Sequence, residues 1–340
     1  MSTSSFHRGC APALLLAASL AACAGQGGSS IPAVGPATAN LRTNAPDMAD
    51  PALRRITIYT ANRDGQSGNG AILGFNVRDR GNAAPSIVIS GSKTTLFEPD
   101  SLAIDSKGHI YAADDSGTQV AVFAKGANGN VAPSRIIGGS KSHLGLTEGL
   151  LVDPFDDLWV TDYQNNAITE YAPGAKGNVK PIDTIAGSNT QMSSPTGMAM
   201  DSSGNLYVAN SFGQSVVAFA SGASGNATPI VTIAGSNTGL QHPFALAFDQ
   251  TGRLLVADEH VGVLVFAAGA SGNVAPVATI TGFSSADGVL ADTYNHIWVA
   301  DFLGNSIKEF ASNANGNATP LRTIQGSKTT LNGANYLALH

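Results

Sequence analysis

Apolar positions along this chain come in short bursts separated by clusters of Gly, Asn, Asp, Ser and Pro. The stretch "GMAMDSSGNLYVANSFGQSVVAFASGASGNATPIVTIAGS", Gly197 to Ser236, holds four bursts: "MAM", "LYVAN", "SVVAFA" and "PIVTIAG". Three of the four are rich in Val, Ile, Tyr and Phe, and all four are short apolar runs bounded by turn residues, so each predicts a β-strand. The breaks between them are D-x-x-G, a polar loop and "GASGN", which are turn-forming sequences.

The same quartet recurs along the chain. The segments "IYAAD", "LWVTD", "LYVAN", "LLVAD" and "IWVAD" end at Asp114, Asp162, Asn210, Asp258 and Asp301. Their spacing is 48 residues, shortening to 43 at the last step, and an earlier copy, "IYTAN", ends at Asn62. Six copies at this period indicate a repeat architecture. The fourth burst of every copy opens near a proline: Pro85, Pro133, Pro181, Pro229, Pro276 and Pro320. Proline has no N–H to give a ladder and belongs on an edge strand, so the fourth strand is the outer one. Four antiparallel strands per repeat with the last at an edge predict a propeller blade, and the chain as a whole is all-β.

The two ends of the array support this reading. "RRITIYTAN" enters directly at a second strand, and the first copy lacks an inner one. The final "NYLALH", Asn335 to His340, aligns with "SLAID", "GLLVD", "GMAMD", "ALAFD" and "GVLAD" of the other copies. The expected fold is therefore a six-bladed β-propeller of four-stranded antiparallel blades, closed by the C-terminal strand completing the first blade.

The pattern P-x-G-[LM]-A-[MV]-D-x-x-G-N-[LI]-Y-V-A-[DN], cleanest from Pro195 to Asn210, resembles the NHL repeat, and the resemblance covers about Arg54 to His340. The copies depart from it in the insertion G-A-x-G-N-x-x-P, which reads as a stereotyped outer hairpin. The resemblance implies the fold but not the function, because NHL-type propellers include protein-binding, RNA-binding and enzymatic members.

The N-terminus changes the expected address. His7 and Arg8 precede the apolar run "APALLLAASLAAC", too short to span a bilayer and typical of a secretory signal. Its end, "LAAC", resembles the bacterial lipobox, which implies a signal peptide over residues 1–22 and lipidation at Cys23. Residues 23–53 are Gly, Ser, Ala and Pro without apolar period, a flexible tether. Residues 54–340 form the propeller. Removal of Cys10 with the signal would leave one acylated cysteine and no disulfide. The expected location is the bacterial cell envelope, with the lipid as membrane anchor. A net charge of -6 with only 18 Lys plus Arg excludes a basic stripe, so nucleic acid is not an expected partner.

Repetition separates scaffold from candidate site. Asp105, Asp153, Asp201, Asp249 and Asp292 follow the inner strand in five copies, and each is expected to cap its own turn. Five residues earlier, just before the inner strand at the channel mouth, the residue varies: Asp100, Glu148, Thr196, Phe244, Asp287 and Asn335. Asp287, Asn335, Asp100 and Glu148 fall on consecutive blades and offer hard oxygen ligands, a candidate seat for a calcium ion (Ca2+). In outline this is similar to six-bladed gluconolactonase- and paraoxonase-like enzymes. Tyr163, Phe212 and Phe302, with His242, Thr196 and Phe244, form a candidate binding surface on the same face. The histidines lack metal-ligand spacing, and no G-x-S-x-G or P-loop occurs. The leading expectation is a monomeric envelope module that binds a protein or glycan ligand. The alternative is a calcium-dependent lactonase or esterase-like hydrolase acting at the channel mouth. A lyase pairing His242 with an acid across the channel is a third reading.

Overall fold

A computed structural model describes residues 56–63, 70–114 and 118–340. Cys23, the expected signal and tether, and most of the "NRDGQSGNG" loop lie outside these residues. Six four-stranded antiparallel sheets follow one another along the chain. Their inner strands are Pro99–Ile104, Thr147–Val152, Pro195–Met200, Pro243–Phe248, Ala286–Ala291 and Ala334–Leu339. The last of these pairs with Thr57–Asn62, so the C-terminal strand completes blade one, as the repeat register predicts. The inner strands contact one another in sequence around a ring, with Ala334–Leu339 touching both Ala286–Ala291 and Pro99–Ile104.

Blade four shows why the four bursts fold as they do. Leu206–Asn210 is buried at every residue because it lies between two blades. A strand covered on both faces needs no polar alternation, and "LYVAN" has almost none. The outer strand Val231–Ala234 begins two residues after Pro229 and buries only Ile233. The third strand carries a buried aromatic at its last residue, or in blade one at the residue before it: Phe75, Phe123, Tyr171, Phe219, Phe266 and Phe310. These rings pin wedges of core between neighbouring blades rather than one central core. One wedge joins Trp159, Ile168 and Ile185 of blade three to Met198, Leu206, Val208 and Phe219 of blade four. Fully burying one such Phe contributes about 1.5–3 kcal/mol, so the ring is held by neighbour-to-neighbour interfaces.

The recurring G-A-x-G-N-x-x-P segment is a clasp between blades. In blade three, Asn178 Oδ1 accepts from Lys141 N–H of blade two at 2.6 Å, and Gly177 N–H donates to Ile136 O at 2.6 Å. The same pair recurs in blade one, where Asn82 Oδ1 accepts from Lys328 N–H and Gly81 N–H donates to Thr323 O, closing the ring. Gly139 in the gripped turn has φ 110°, and a Cβ there would stand 2.8 Å from the Asn178 carboxamide, so only glycine fits.

The repeated acids cap turns as their recurrence predicts. Asp153 Oδ1 accepts from the N–H groups of Phe155 and Asp157, and Asp201 Oδ1 from those of Ser203 and Asn205. The acids and amides ending the second strand cap a different segment, the loop leading into the inner strand of the same blade. Asp258 Oδ2 accepts from Gln241 and His242 N–H, and Asp301 Oδ1 from Ser284 and Ser285 N–H.

Candidate functional site

The variable mouth residues are not loop residues preceding the inner strand. Each is the second residue of that strand: Asp100, Glu148, Thr196, Phe244, Asp287 and Asn335. The ladder to the second strand slips at this point in every blade, for example between Pro99 and Ser101 and between Pro243 and Ala245. A bulge re-aims the side chain it carries. Here it takes a position that the sequence presents as a solvated rim and buries it. All six residues are at most 8% exposed, and Asp100 and Thr196 are fully buried.

Below this ring the channel is plugged. The residues next in line are Ser101, Gly149, Gly197, Ala245 and Gly288, all small, and in blade one Tyr336. The Tyr336 ring crosses the space they leave. Its hydroxyl donates to Phe244 O at 3.0 Å in blade five, and a Cβ on Gly197 in the opposite blade would stand 2.9 Å from the phenol oxygen. Burial raises the Tyr336 pKa well above its ordinary value, and Asp100, Glu148, Asp287 and Glu259 push it further. The phenol is a fixed donor. Beneath it lies an apolar lumen of about 230 Å³, lined by Leu102, Leu150, Met198, Leu246, Val289 and Leu337 among others. The mouth is therefore a cup with a floor, not the opening of a water-filled pore.

A second ring surrounds the cup, built from the residue directly after each second strand: Arg63, Tyr163, Ser211, Glu259 and Phe302, with position 115 outside the described residues. Arg63 reaches inward to Asp100 and outward to Glu98, each at 3.4 Å. Asn335 Nδ2 donates to Asp100 Oδ1 at 2.6 Å. Asp287 accepts from Ser285 Oγ at 2.6 Å. Burial lifts the Asp287 carboxyl to about 7, and nearby Glu259 and Asp301 add to the rise against Arg63. Glu259 is likewise raised to about 7, chiefly by burial, with Asp258 and Glu148 adding and His260 and Arg63 opposing.

Around blades three to five the same face carries a row of rings. Tyr163 and Phe212 have centroids 5.9 Å apart, Phe212 and His242 5.8 Å, and His242 and His260 5.4 Å. Phe212 is 68% exposed. Of the residues expected on this surface, the structure brings Tyr163, Phe212 and His242 together. Phe302 sits apart from the row, where its ring would meet a Cβ on Gly333. Thr196 and Phe244 are buried instead of displayed: Thr196 Oγ1 donates to Pro243 O, and Phe244 packs against the Tyr336 ring. Both side chains are turned inward by the bulge.

Among the described residues, sets of three acids or imidazoles with ligand atoms within 4.8 Å of one another occur at Asp292, His296 and Glu309 and at Asp153, Asp157 and Glu170. The expected calcium ligands Asp100, Glu148 and Asp287 form no such set. In each cluster two residues belong to the capped turn at the far end of the inner strand, and the third, Glu309 or Glu170, lies on the third strand of the blade. In blade six the cluster is balanced by Arg322, 3.1 Å from Glu309. In blade three the equivalent of Arg322 is Asp183, and burial with the charges of Asp157, Asp183 and Asp153 raises Glu170 to about 7.

Arg63, Ser211 and Glu259 are the site residues that sequence reasoning passed over. Their signal is visible in hindsight, since the position after the second strand differs in every copy. Tyr336 left a similar one, as the only bulky residue in a column of small ones.

No family model and no curated protein matches the chain. Solved propellers do match in shape. A streptogramin B lyase structure is 13% identical, with a TM-score of 0.53, covering 80% of this chain and 84% of that one. A propeller from a nidogen/laminin complex is 15% identical with a TM-score of 0.56, covering 84% and 98%. The WD40 propeller domain of Doa1 is 12% identical with a TM-score of 0.55, covering 80% of each chain. At these identities the likeness is one of fold: the chain is a six-bladed β-propeller.

Proposed function

We propose that this chain is a ligand-binding propeller of NHL type whose site is the floored cup at the channel mouth, and that its ligand is a polar organic molecule such as a glycan. The observation that carries this reading is the cup itself. Four carboxyl groups, an amide and one guanidinium converge above the Tyr336 plug, beside a row of rings in which Phe212 is exposed and Tyr163 and His242 are half-buried. Such a surface matches a polyhydroxylated ligand: hydroxyls bond to the partly exposed Glu259 and Arg63 at the lip, while a sugar face covers Phe212 and Tyr163. The "LAAC" sequence further supports a lipid-anchored envelope protein that holds the propeller beside a membrane.

The test is calorimetric titration of the purified propeller with a panel of neutral and amino sugars and soluble cell-envelope glycans. Binding by the parent that is lost in both Phe212→Ala and Glu259→Gln, with unchanged melting of the unliganded variants, supports the reading. Binding that survives both substitutions would place the site elsewhere.

A further inference from the structure

Ser211, His242 and Glu259 form a connected line across the boundary between blades four and five. Ser211 Oγ lies 2.7 Å from His242 Nε2. On the other side of the imidazole, Nδ1 lies 2.8 Å from Glu259 Oε2. The backbone fixes the spacing, because Glu259 N–H donates to His242 O at 3.2 Å and Ser211 N–H to Ser194 O at 3.1 Å. Two features of the chain would have hidden this line from a motif search. Its members are single residues on three separate loops, and the serine sits in "NSFG" rather than in a nucleophile-elbow sequence.

We propose that Ser211, His242 and Glu259 are a nucleophile, general base and orienting acid for acyl transfer from a carboxylic ester. The atoms are matched to these roles: the Ser211 hydroxyl bonds Nε2, while the Glu259 carboxylate stands 2.8 Å from Nδ1 at an angle that makes no hydrogen bond, a contact that must align when substrate binds. Burial and the neighbouring His260 lower the His242 pKa, against the opposing pull of Asp258, so the ring is neutral and able to accept a proton at pH 7. Ser211 Oγ attacks the ester carbonyl carbon and passes its proton to Nε2. Collapse of the tetrahedral intermediate breaks the C–O bond, and the leaving alkoxide takes that proton away as the alcohol. Water then attacks the acyl-serine, gives a proton to Nε2, and the carboxylic acid leaves as Oγ recovers it. No oxidant or further co-reactant is required.

Ser211 is itself fully buried, so a substrate reaches it only through a local opening, and Phe212, exposed beside the His242 ring, is the adjacent side chain whose truncation tests that opening. The cup beside the line holds Asp100, Glu148 and Asp287 with Arg63 salt-bridged to Asp100, an excess of acids that favours an uncharged or cationic ester over a phosphoester. Glu259, faced by His242, His260, Asp258, Glu148 and Arg63, ionises near pH 7, so orientation of the imidazole should improve as pH rises from 6 to 8.

The deciding experiment is labelling with a small fluorophosphonate probe, followed by peptide mapping, together with p-nitrophenyl acetate turnover. Labelling at Ser211 that disappears in Ser211→Ala and falls at least about tenfold in His242→Gln supports the proposal. Faster labelling of Phe212→Ala, and a rise in rate through pH 7 that Glu259→Gln flattens, separate a catalytic line from a structural one. Absence of Ser211 labelling in both the parent and Phe212→Ala, with the fold intact by circular dichroism, overturns it. The proposal rests on the mouth as a ligand site only for substrate choice. Sugar binding without labelling defeats the esterase alone, whereas labelling without sugar binding defeats the glycan reading alone.

Discussion

Replacing Tyr336 by Phe tests whether the floor of the cup is a structural member of the ring. The substitution keeps the ring and the packing against Phe244 but deletes the hydroxyl that donates to Phe244 O at 3.0 Å. Because the site is buried, the carbonyl loses its donor without gaining bulk water, and the cost should be about 1–3 kcal/mol. Tyr336→Ala should cost about 3–5 kcal/mol, since it also leaves a void that the flanking Gly197 and Gly288 backbones cannot fill. Equilibrium urea unfolding followed by circular dichroism measures both. The expected pattern is a lower midpoint at unchanged slope for Tyr336→Phe and a larger fall for Tyr336→Ala. If Tyr336→Phe stays within about 0.5 kcal/mol of the parent, as a featureless surface change would, the plug is not load sharing and the reasoning fails.

Asn178→Ala removes one inter-blade clasp, an exposed 2.6 Å bond to Lys141 N–H, and should lower stability by about 1 kcal/mol in the same assay. Phe219→Ala empties the wedge between blades three and four and should cost about 3–5 kcal/mol, read from the thermal or urea midpoint. Glu170 keeps its proton in the folded state up to about pH 7 and loses it near 4.5 when unfolded, so it lowers stability as pH rises through that window. Glu170→Gln should flatten that fall by about 1 kcal/mol, the half-exposed position allowing solvent to screen the rest; an unchanged pH profile would rule out this source of strain. Thermal melts with calcium and with chelator test the remaining cation reading. No three of the mouth acids bring their ligand atoms within 4.8 Å of one another, which predicts no resolvable shift, and a shift abolished by Glu148→Gln would establish a mouth ion after all.

The scaffold was legible because it is written six times. The Asp153 type of acid, the proline before each outer strand and the recurring "GASGN" each reappear at the repeat period, and each has one local job that short-range chemistry explains. The mouth was legible only as a list of positions that break the repeat. Glu148 and its counterparts were found that way, but their burial was not, because a bulge in the inner strand is set by pairing with a strand some ten residues away. Thr196 and Phe244 show the same limit: a polar and an aromatic residue looked suited to a surface, and both point inward.

Sequence by itself determined the number of blades, the order of strands within them and the way the C-terminus closes the ring, since all three follow from local propensity and a regular period. Only the tertiary structure decided that Tyr336 floors the channel, that Arg63 and Glu259 join the acids of the mouth, and that Ser211 meets His242. Those residues lie tens to hundreds of positions apart and on different blades. Their contacts exist because ring closure converts one loop position per repeat into a circle, and no pattern along the chain encodes who faces whom across it.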